Sequence, residues 1–110
     1  MNIEIPEDNK LTVECRIEAG CLGPAGDEHV VDFCDFAKRE FSSWETEVIN
    51  WRFMPRPDES LAELQYKFAG KNLSREQARK YLLRLEKDID ELEAEIDETL
   101  LVLIDEYMSQ

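Results

Sequence analysis

The sequence predicts a single α+β domain, in which a small sheet packs against two helices. Three observations support this fold class: segments that alternate apolar and polar residues, a segment with apolar residues at helical spacing, and a C-terminal stretch without Gly or Pro. The chain has 110 residues, of which 43% are hydrophobic, and this is enough for one core of ordinary size.

The segment LTVECRIE, residues 11–18, is the clearest predicted strand, because its side chains alternate without a break. The residues expected to face the core are Leu11, Val13, Cys15 and Ile17. Before it, residues 2–6 carry Ile3 and Ile5 on one face, and PEDNK supplies turn-forming residues. We therefore expect a short N-terminal strand that pairs with residues 11–18 as a hairpin.

A helix is predicted from Asp27 to about Ser42, with Asp27 as its N-terminal cap. The apolar residues at helical spacing are Val30, Phe33, Cys34, Ala37 and Phe41. This helix is expected to cover one face of the sheet.

Two further strands are predicted at residues 47–54 and 61–68, where apolar and polar side chains again alternate. Trp51 and Tyr66 are among the residues expected to face the core. The sequence PRPDES between the two strands contains two prolines and is predicted as a turn. Because the turn is short, we expect the two strands to be antiparallel neighbours.

The last 37 residues, from Ser74 to Gln110, are predicted to form one uninterrupted helix about 50 Å long. Ser74 and Gln77 have the spacing of a capping box at its start.

The predicted element order is β-β-α-β-β-α, with a mixed or antiparallel sheet and both helices on one face. In element order alone, this arrangement resembles a ferredoxin-like sandwich whose last strand has moved to the N-terminus. Residues 1–72 are expected to form the α/β sandwich portion. Residues 73–110 are expected to form the helix that packs on the sheet and mediates association, within one domain overall.

The net charge of −13, from 26 acidic and 13 basic residues, disfavours direct binding to nucleic acid or to an anionic membrane surface. No signal peptide or membrane-spanning run is recognisable. Three cysteines without framework spacing argue against a disulfide scaffold. We therefore expect a cytoplasmic protein with reduced thiols.

All three cysteines and the only histidine lie within residues 15–34, so this stretch is where metal or thiol chemistry would be sought. Cys15, Cys21, His29 and Cys34 lack the closely spaced pair of thiolates on which structural zinc sites are usually built. A nucleophilic Cys21 would need His29 as its base, and sequence proximity does not establish their contact. We predict no metal, no cofactor and no catalytic residue, and we keep Cys21 and His29 as candidates for binding a ligand or partner.

Three glycines, Gly20, Gly23 and Gly26, lie between a predicted strand and a predicted helix, where phosphate-binding turns occur. Their spacing does not match the dinucleotide fingerprint, and no Gly-Lys-Ser/Thr sequence follows them. Asp27 and Glu28 would also repel a phosphate at the helix start. A glycine-rich connection is the favoured interpretation.

The segment NWRFMPRP brings aromatic and guanidinium groups together in one short stretch. Trp51, Arg52 and Arg56 are therefore candidates for recognising a carboxylate, a phosphate or a partner peptide. The alternative is that Trp51 faces the core and that Arg52 pairs across strands with glutamates such as Glu63.

The predicted C-terminal helix carries apolar residues at alternating spacings of four and three, which is typical of a coiled-coil seam. The residues predicted to form a dimer interface are Leu82, Leu85, Ile89, Leu92, Ile96, Leu100, Leu103 and Tyr107. A small sheet is expected to cover about half of a helix of this length, which favours a second copy as the partner of the rest.

Charge is divided unevenly along the same helix. Residues 74–87 contain five bases and two acids, whereas residues 88–110 contain nine acids and no base. An antiparallel pair of identical helices would place each base-rich half beside an acid-rich half. We therefore predict antiparallel self-association.

These observations favour a non-enzymatic, homodimeric protein-interaction or regulatory module. The first alternative is a small-molecule-binding protein or enzyme, with a pocket between the sheet and the helices. The second is an acidic mimic of nucleic acid that binds a DNA-binding partner, motivated by the nine acids of residues 88–110.

Overall fold

The computed structural model describes residues 10–44, 49–58 and 60–109 and has an α+β fold, with a mixed four-stranded sheet and three helices. The strands are β1 (Leu11–Ile17), β2 (Ile49–Pro55), β3 (Leu64–Phe68) and β4 (Lys71–Leu73). The helices are α1 (Gly26–Phe41), α2 (Arg75–Arg84) and α3 (Ile89–Met108), and a short 3₁₀ helix, Ala19–Leu22, precedes α1. The N-terminal strand predicted at residues 2–6 lies outside the described residues.

The strands lie in the order β2-β1-β3-β4, with β1 parallel to β2 and antiparallel to β3. The prediction that the two strands flanking PRPDES are neighbours is therefore wrong, because β1 lies between them. The connection crosses the end of β1, where the Arg56 amide donates to the Ile17 carbonyl at 2.8 Å and the Arg16 amide donates to the Glu63 carbonyl at 2.7 Å. The element order of the described residues is β-α-β-β-β-α-α, so the ferredoxin-like order is not confirmed.

Strand β4 was not predicted, because three residues are too few to show an alternating pattern. It pairs with β3 through a two-residue turn, in which Ala69 and Gly70 have φ angles of 52° and 79°. Positive φ at both central residues is what a two-residue hairpin turn of type I′ requires. Ala-Gly is a weaker signal of such a turn than Asn-Gly.

The three helices of the described residues all contact the same face of the sheet, which agrees with the expectation of one helix-covered face although only two helices were predicted. On this inner face, the ring of Trp51 lies 5.0 Å from that of Phe41 in α1, and the ring of Phe68 lies 5.3 Å from that of Tyr81 in α2. Helix α3 reaches the same face through a hydrogen bond between Tyr66 and Glu93.

The buried strand residues of the core are Leu11, Val13, Cys15, Ile17, Ile49, Trp51 and Tyr66. The helices add Val30, Phe33, Cys34, Ala37, Phe41, Ala78, Leu82, Ile89, Leu92, Ile96 and Leu103.

The C-terminal region forms two helices, so the prediction of one uninterrupted helix is wrong, and a coiled coil is not confirmed. Helix α2 begins with the predicted capping box of Ser74 and Gln77 and ends before Glu86, which adopts a φ of 61°. Asp88 then caps α3 by accepting a hydrogen bond from the Asp90 amide at 3.1 Å. The break lets each helix turn its own apolar side toward the sheet, where Ala78 and Leu82 of α2 and Ile89, Leu92 and Ile96 of α3 are buried.

The break also brings opposite charges together within one chain. The Arg75 guanidinium, at the start of α2, lies 2.6 Å from an Asp90 carboxylate oxygen and 3.0 Å from a Glu93 oxygen in α3. Part of the charge asymmetry that the sequence analysis assigned to a second copy is therefore satisfied within the chain itself.

Candidate interaction surfaces

The three residues predicted to bind a ligand in NWRFMPRP do not share a site. Trp51 is buried on the inner face, where its indole Nε1–H donates to the Trp44 carbonyl at 2.6 Å and its ring stacks on that of Trp44. Arg52 lies on the opposite, outer face, and its side chain is 59% exposed. Strand alternation itself separates the two side chains, so they cannot contact one ligand.

The third of these residues, Arg56, holds the connection between β2 and β3. Its Nη1 lies 3.1 Å from the Glu18 carboxylate and 3.7 Å from that of Glu63, and its Nε–H donates to the Leu61 carbonyl at 2.9 Å. These contacts engage both Nε and Nη1 of its guanidinium group, so the arrangement indicates a structural role.

Cys21 and His29 are both exposed, Cys21 in the 3₁₀ helix and His29 in the first turns of α1. No hydrogen bond joins them in the part of the chain that the structure describes, and the ring that neighbours His29 belongs to Tyr107, at 6.2 Å. In these same described residues, no group of three or more His, Cys, Asp or Glu side chains is arranged to hold a metal ion.

The two other cysteines lie in the core. Burial raises the pKa of the Cys15 thiol to about 12 and that of the Cys34 thiol to about 11. Because the thiolate is the reactive and metal-binding form, both thiols are poorly suited to either chemistry.

A cavity of about 290 Å³ lies between the end of α1 and the middle of α3. It is lined by Glu40, Phe41, Trp44, Glu95, Glu98 and Thr99. A second cavity, of about 190 Å³, shares Trp44 and Glu95 with it. The larger one is at the lower end of the size range of ligand pockets, roughly 300 Å³. Neither cavity is lined by Cys21, His29, Trp51, Arg52 or Arg56.

The residues predicted to form a dimer interface lie largely in the core of the chain itself. Five are buried, namely Leu82, Ile89, Leu92, Ile96 and Leu103, and Leu85, Leu100 and Tyr107 are half-buried. The Tyr107 hydroxyl donates to Asp32 at 2.8 Å, which ties the last turns of α3 to α1. The role of these residues in a dimer interface stays a prediction. In this structure their apolar surface is already wholly or partly covered by other residues of the same chain.

Other apolar residues of the same helices are exposed. Leu101, Val102 and Met108 of α3 are 68%, 56% and 51% exposed, and Leu83 of α2 is 52% exposed. We call Leu101, Val102 and Met108, together with Glu98, Asp105 and Glu106, the acidic helical surface. We call Leu83, together with Arg79 and Lys80 one turn earlier, the basic helical surface. The heptad pattern identified the buried side of these helices. The exposed apolar residues could have been found in the sequence as the apolar residues that lie outside this pattern.

The outer face of the sheet carries a cluster of charges around Glu14. Although Glu14 lies on this face, it is only 3% exposed. Its carboxylate lies 3.2 Å from Lys67 Nζ, 3.9 Å from Arg16 Nη2 and 4.0 Å from Arg52 Nη1. We call Glu14, Arg16, Arg52 and Lys67 the outer-face cluster. The sequence predicts a cross-strand glutamate as the partner of Arg52, and the register places Glu14 opposite it.

Comparisons of the chain with protein-family models, curated proteins and solved structures find no match. Among the described residues, no helix is both long and apolar enough to cross a membrane.

Proposed function

We propose that this protein is a non-enzymatic interaction module that associates with a second copy of itself through α2 and α3. One observation carries the proposal: the chain exposes apolar side chains on two helical surfaces whose surrounding charges are opposite. Leu83 lies among bases on α2, and Leu101, Val102 and Met108 lie among acids on α3.

Apolar burial supplies the driving force in this arrangement. Fully burying a Leu, Val or Met side chain contributes about 1.5 to 3 kcal/mol. In a two-fold symmetric pair, the basic helical surface of each copy covers the acidic helical surface of the other, so every contact occurs twice.

Charge selects which surfaces meet. Contact between two acidic helical surfaces would oppose Glu98, Asp105 and Glu106 to their own copies. Contact with the basic helical surface pairs unlike charges through Lys80, and also through Arg79, whose guanidinium already donates to Glu76 of the same helix. This arrangement retains the predicted antiparallel pairing of base-rich with acid-rich helix. It uses exposed residues of the two helices and leaves the buried seam in place.

The two alternative functions have less support. A small-molecule function would use the cavity beside Trp44, which none of the predicted ligand-binding residues lines. Mimicry of nucleic acid would use the exposed acids of α3, and these acids already have a basic partner surface in the proposed dimer.

Light scattering combined with sedimentation analysis tests the proposal at micromolar protein concentration. We expect a particle of twice the chain mass of 12.9 kDa for the wild type, and a monomer for Leu101→Glu with Val102→Glu and for Leu83→Glu. Val31→Glu is the matched control, because Val31 is a comparably exposed apolar residue on α1, at 62%. A wild-type particle of 12.9 kDa, or dissociation by Val31→Glu alone, would contradict the proposal.

A further inference from the structure

We propose that the outer face of the sheet binds an acidic segment of a partner protein, with Arg52 and Lys67 contacting its carboxylates. This surface is separate from the helical surfaces, so the inference does not depend on self-association. It assigns to Arg52 the ligand-binding role that the sequence suggested, with Lys67 as the second ligand-binding residue in place of Trp51 and Arg56.

The first observation is the surplus of positive charge in the outer-face cluster. Arg16, Arg52 and Lys67 approach a single carboxylate, that of Glu14, so three cations share one anion. The neighbouring acids, Glu18 and Glu63, share Arg56 at the end of the sheet and form no ion pair with Arg52 or Lys67 in the described part of the chain. The unbalanced positive charge therefore lies at Arg52 and Lys67.

The second observation is that these two cations retain donors. Arg52 approaches Glu14 no closer than 4.0 Å and makes no hydrogen bond within residues 10–44, 49–58 and 60–109, while its side chain is 59% exposed. Lys67 is 32% exposed at its side chain. Arg16 is different, because its Nη1 donates to the Ala62 carbonyl at 2.8 Å and its side chain is only 14% exposed. Arg52 and Lys67 are thus available to a ligand. Arg16 adds positive charge beside Glu14 but is too buried to contact a ligand in the same way.

The third observation concerns access. The described helices all contact the inner face, so none of them covers the outer face where the cluster lies. The register places Asn50 beside Thr12 and Asn72 beside Lys67 on the same face. Their amide groups can hydrogen-bond to the backbone of a segment that crosses the strands.

The chemistry of these groups selects a carboxylate ligand. A guanidinium group presents paired N–H donors that match the two oxygens of a carboxylate, and a nearby ammonium adds a point charge. A long polyanion such as nucleic acid is disfavoured, because it would extend beyond the outer-face cluster and be repelled by the rest of a chain with a net charge of −13. A short acidic segment is affected mainly by charges within about 8 Å at physiological salt, which favours the outer-face cluster.

In this arrangement Glu14 neutralises part of the positive charge of the outer-face cluster. Its buried carboxylate lies beside the three cations and would not itself contact the ligand. Removing its charge while keeping its shape should therefore strengthen binding, whereas a residue that contacts an acidic ligand would weaken binding when altered.

Fluorescence anisotropy with a fluorescein-labelled hexaglutamate peptide tests this proposal on the full chain. We expect saturable binding that Arg52→Glu and Lys67→Glu each weaken about tenfold, and that Glu14→Gln strengthens about threefold. Arg39→Glu is the matched control, because it makes the same change in net charge on the exposed surface of α1. We expect it to change the affinity less than about twofold.

The outcomes separate the alternatives. Absence of binding by the folded wild type, or equal weakening by Arg39→Glu, overturns the proposal, and so does tighter binding of a single-stranded oligonucleotide than of hexaglutamate. Near-ultraviolet circular dichroism verifies folding, and Arg52→Gln replaces Arg52→Glu if the reversed charge prevents folding. Sedimentation of the same samples shows the association state, so failure of this proposal is distinguishable from failure of the proposed self-association.

Discussion

The Tyr66 hydroxyl in β3 donates a hydrogen bond of 2.6 Å to the Glu93 carboxylate in α3. The same carboxylate accepts hydrogen bonds from Arg75 of α2, at 3.0 Å and 3.2 Å. Glu93 therefore links the sheet to both C-terminal helices. Burial and this hydrogen bond both raise the pKa of Tyr66, so the neutral phenol is the form that the fold stabilises.

Tyr66→Phe removes this link without changing the ring. We expect it to lower the free energy of unfolding by about 1.5 kcal/mol, since a hydrogen bond to a charged group is lost while Arg75 still holds Glu93. Urea denaturation measures the change. Tyr107→Phe is the control, because its hydroxyl bonds to Asp32 at an exposed site, and its effect should be smaller. Equal losses in the two variants would argue against a central role for Glu93.

The buried thiols predict that stability falls at alkaline pH. Burial raises the pKa of Cys15 to about 12 and that of Cys34 to about 11, from an ordinary value of 9.0. Above pH 9 the unfolded chain loses these thiol protons before the native chain does, so stability is full below that pH and falls as pH rises toward the two native pKa values. The expected slope is about 2.7 kcal/mol per pH unit from both thiols together.

Denaturation of Cys34→Ala between pH 9 and 10 measures the contribution of one thiol, and the slope there should be about half that of the wild type. Above the ordinary tyrosine pKa of 10.0, the raised pKa of Tyr66 adds to the slope of both proteins. Cys21→Ala is the control, because Cys21 is exposed. A wild-type slope that Cys34→Ala leaves unchanged would disprove the assignment to the buried thiols.

Gly26 has a packing role that the sequence did not reveal. A Cβ atom at this position would lie 1.7 Å from the Ala19 carbonyl oxygen, whereas a Cβ at Gly20 would have no neighbour within 4 Å. We expect Gly26→Ala to lower the free energy of unfolding by about 3 kcal/mol or more, and Gly20→Ala to change it by less than about 0.5 kcal/mol. Thermal denaturation of both variants is the measurement, and similar melting temperatures would contradict the contact between α1 and the 3₁₀ helix.

The buried seam predicts a difference between two residues of one helix. Ile96 is fully buried and Leu101 is 68% exposed. Ile96→Ala should therefore lower the free energy of unfolding by about 2 to 5 kcal/mol, and Leu101→Ala by less than about 0.5 kcal/mol in the monomer. Denaturation at several protein concentrations measures both. If the loss at Ile96 grew with concentration, its side chain would be at an interface between chains and not in the core.

The left-handed conformation of Glu86 predicts a stabilising substitution. Glycine adopts this conformation without the steric cost of a Cβ atom, so Glu86→Gly should raise the free energy of unfolding by about 0.5 to 1 kcal/mol. Ala94→Gly, at an exposed position inside α3, should instead lower it by about 1 kcal/mol. Urea denaturation compares the two variants. Destabilisation of similar size by both would indicate a continuous helix through Glu86.

The elements with an unbroken local pattern were predicted close to their observed positions. Strand β1 ends one residue before its predicted end, because period-two alternation is a property of the local sequence. Helix α1 ends at Phe41, close to its predicted end, but it begins at Gly26, so the prediction of Asp27 as its N-terminal cap is wrong. Ala25 holds the cap position without a side-chain hydrogen bond, and Asp27 lies in the first turn. The capping box at Ser74 and Gln77 was also identified from spacing alone and is present.

The candidate site was predicted only in part. Arg52 was identified as a binding candidate from its neighbours in sequence, yet its neighbours in space, Glu14 and Lys67, come from other strands. No short-range signal marks such a cluster, because strand order determines which side chains become neighbours.

Sequence alone determined the fold class, the strong acidity, the alternation of β1 and the apolar spacing of the C-terminal region. Tertiary structure decided that β1 lies between β2 and β3, that the C-terminal region bends at Glu86, and that its apolar seam lies in the core of the same chain. The physical reason is that helical spacing identifies which side of a helix is apolar and not what covers it. The covering surface is set by where the rest of the chain leaves apolar area to be buried.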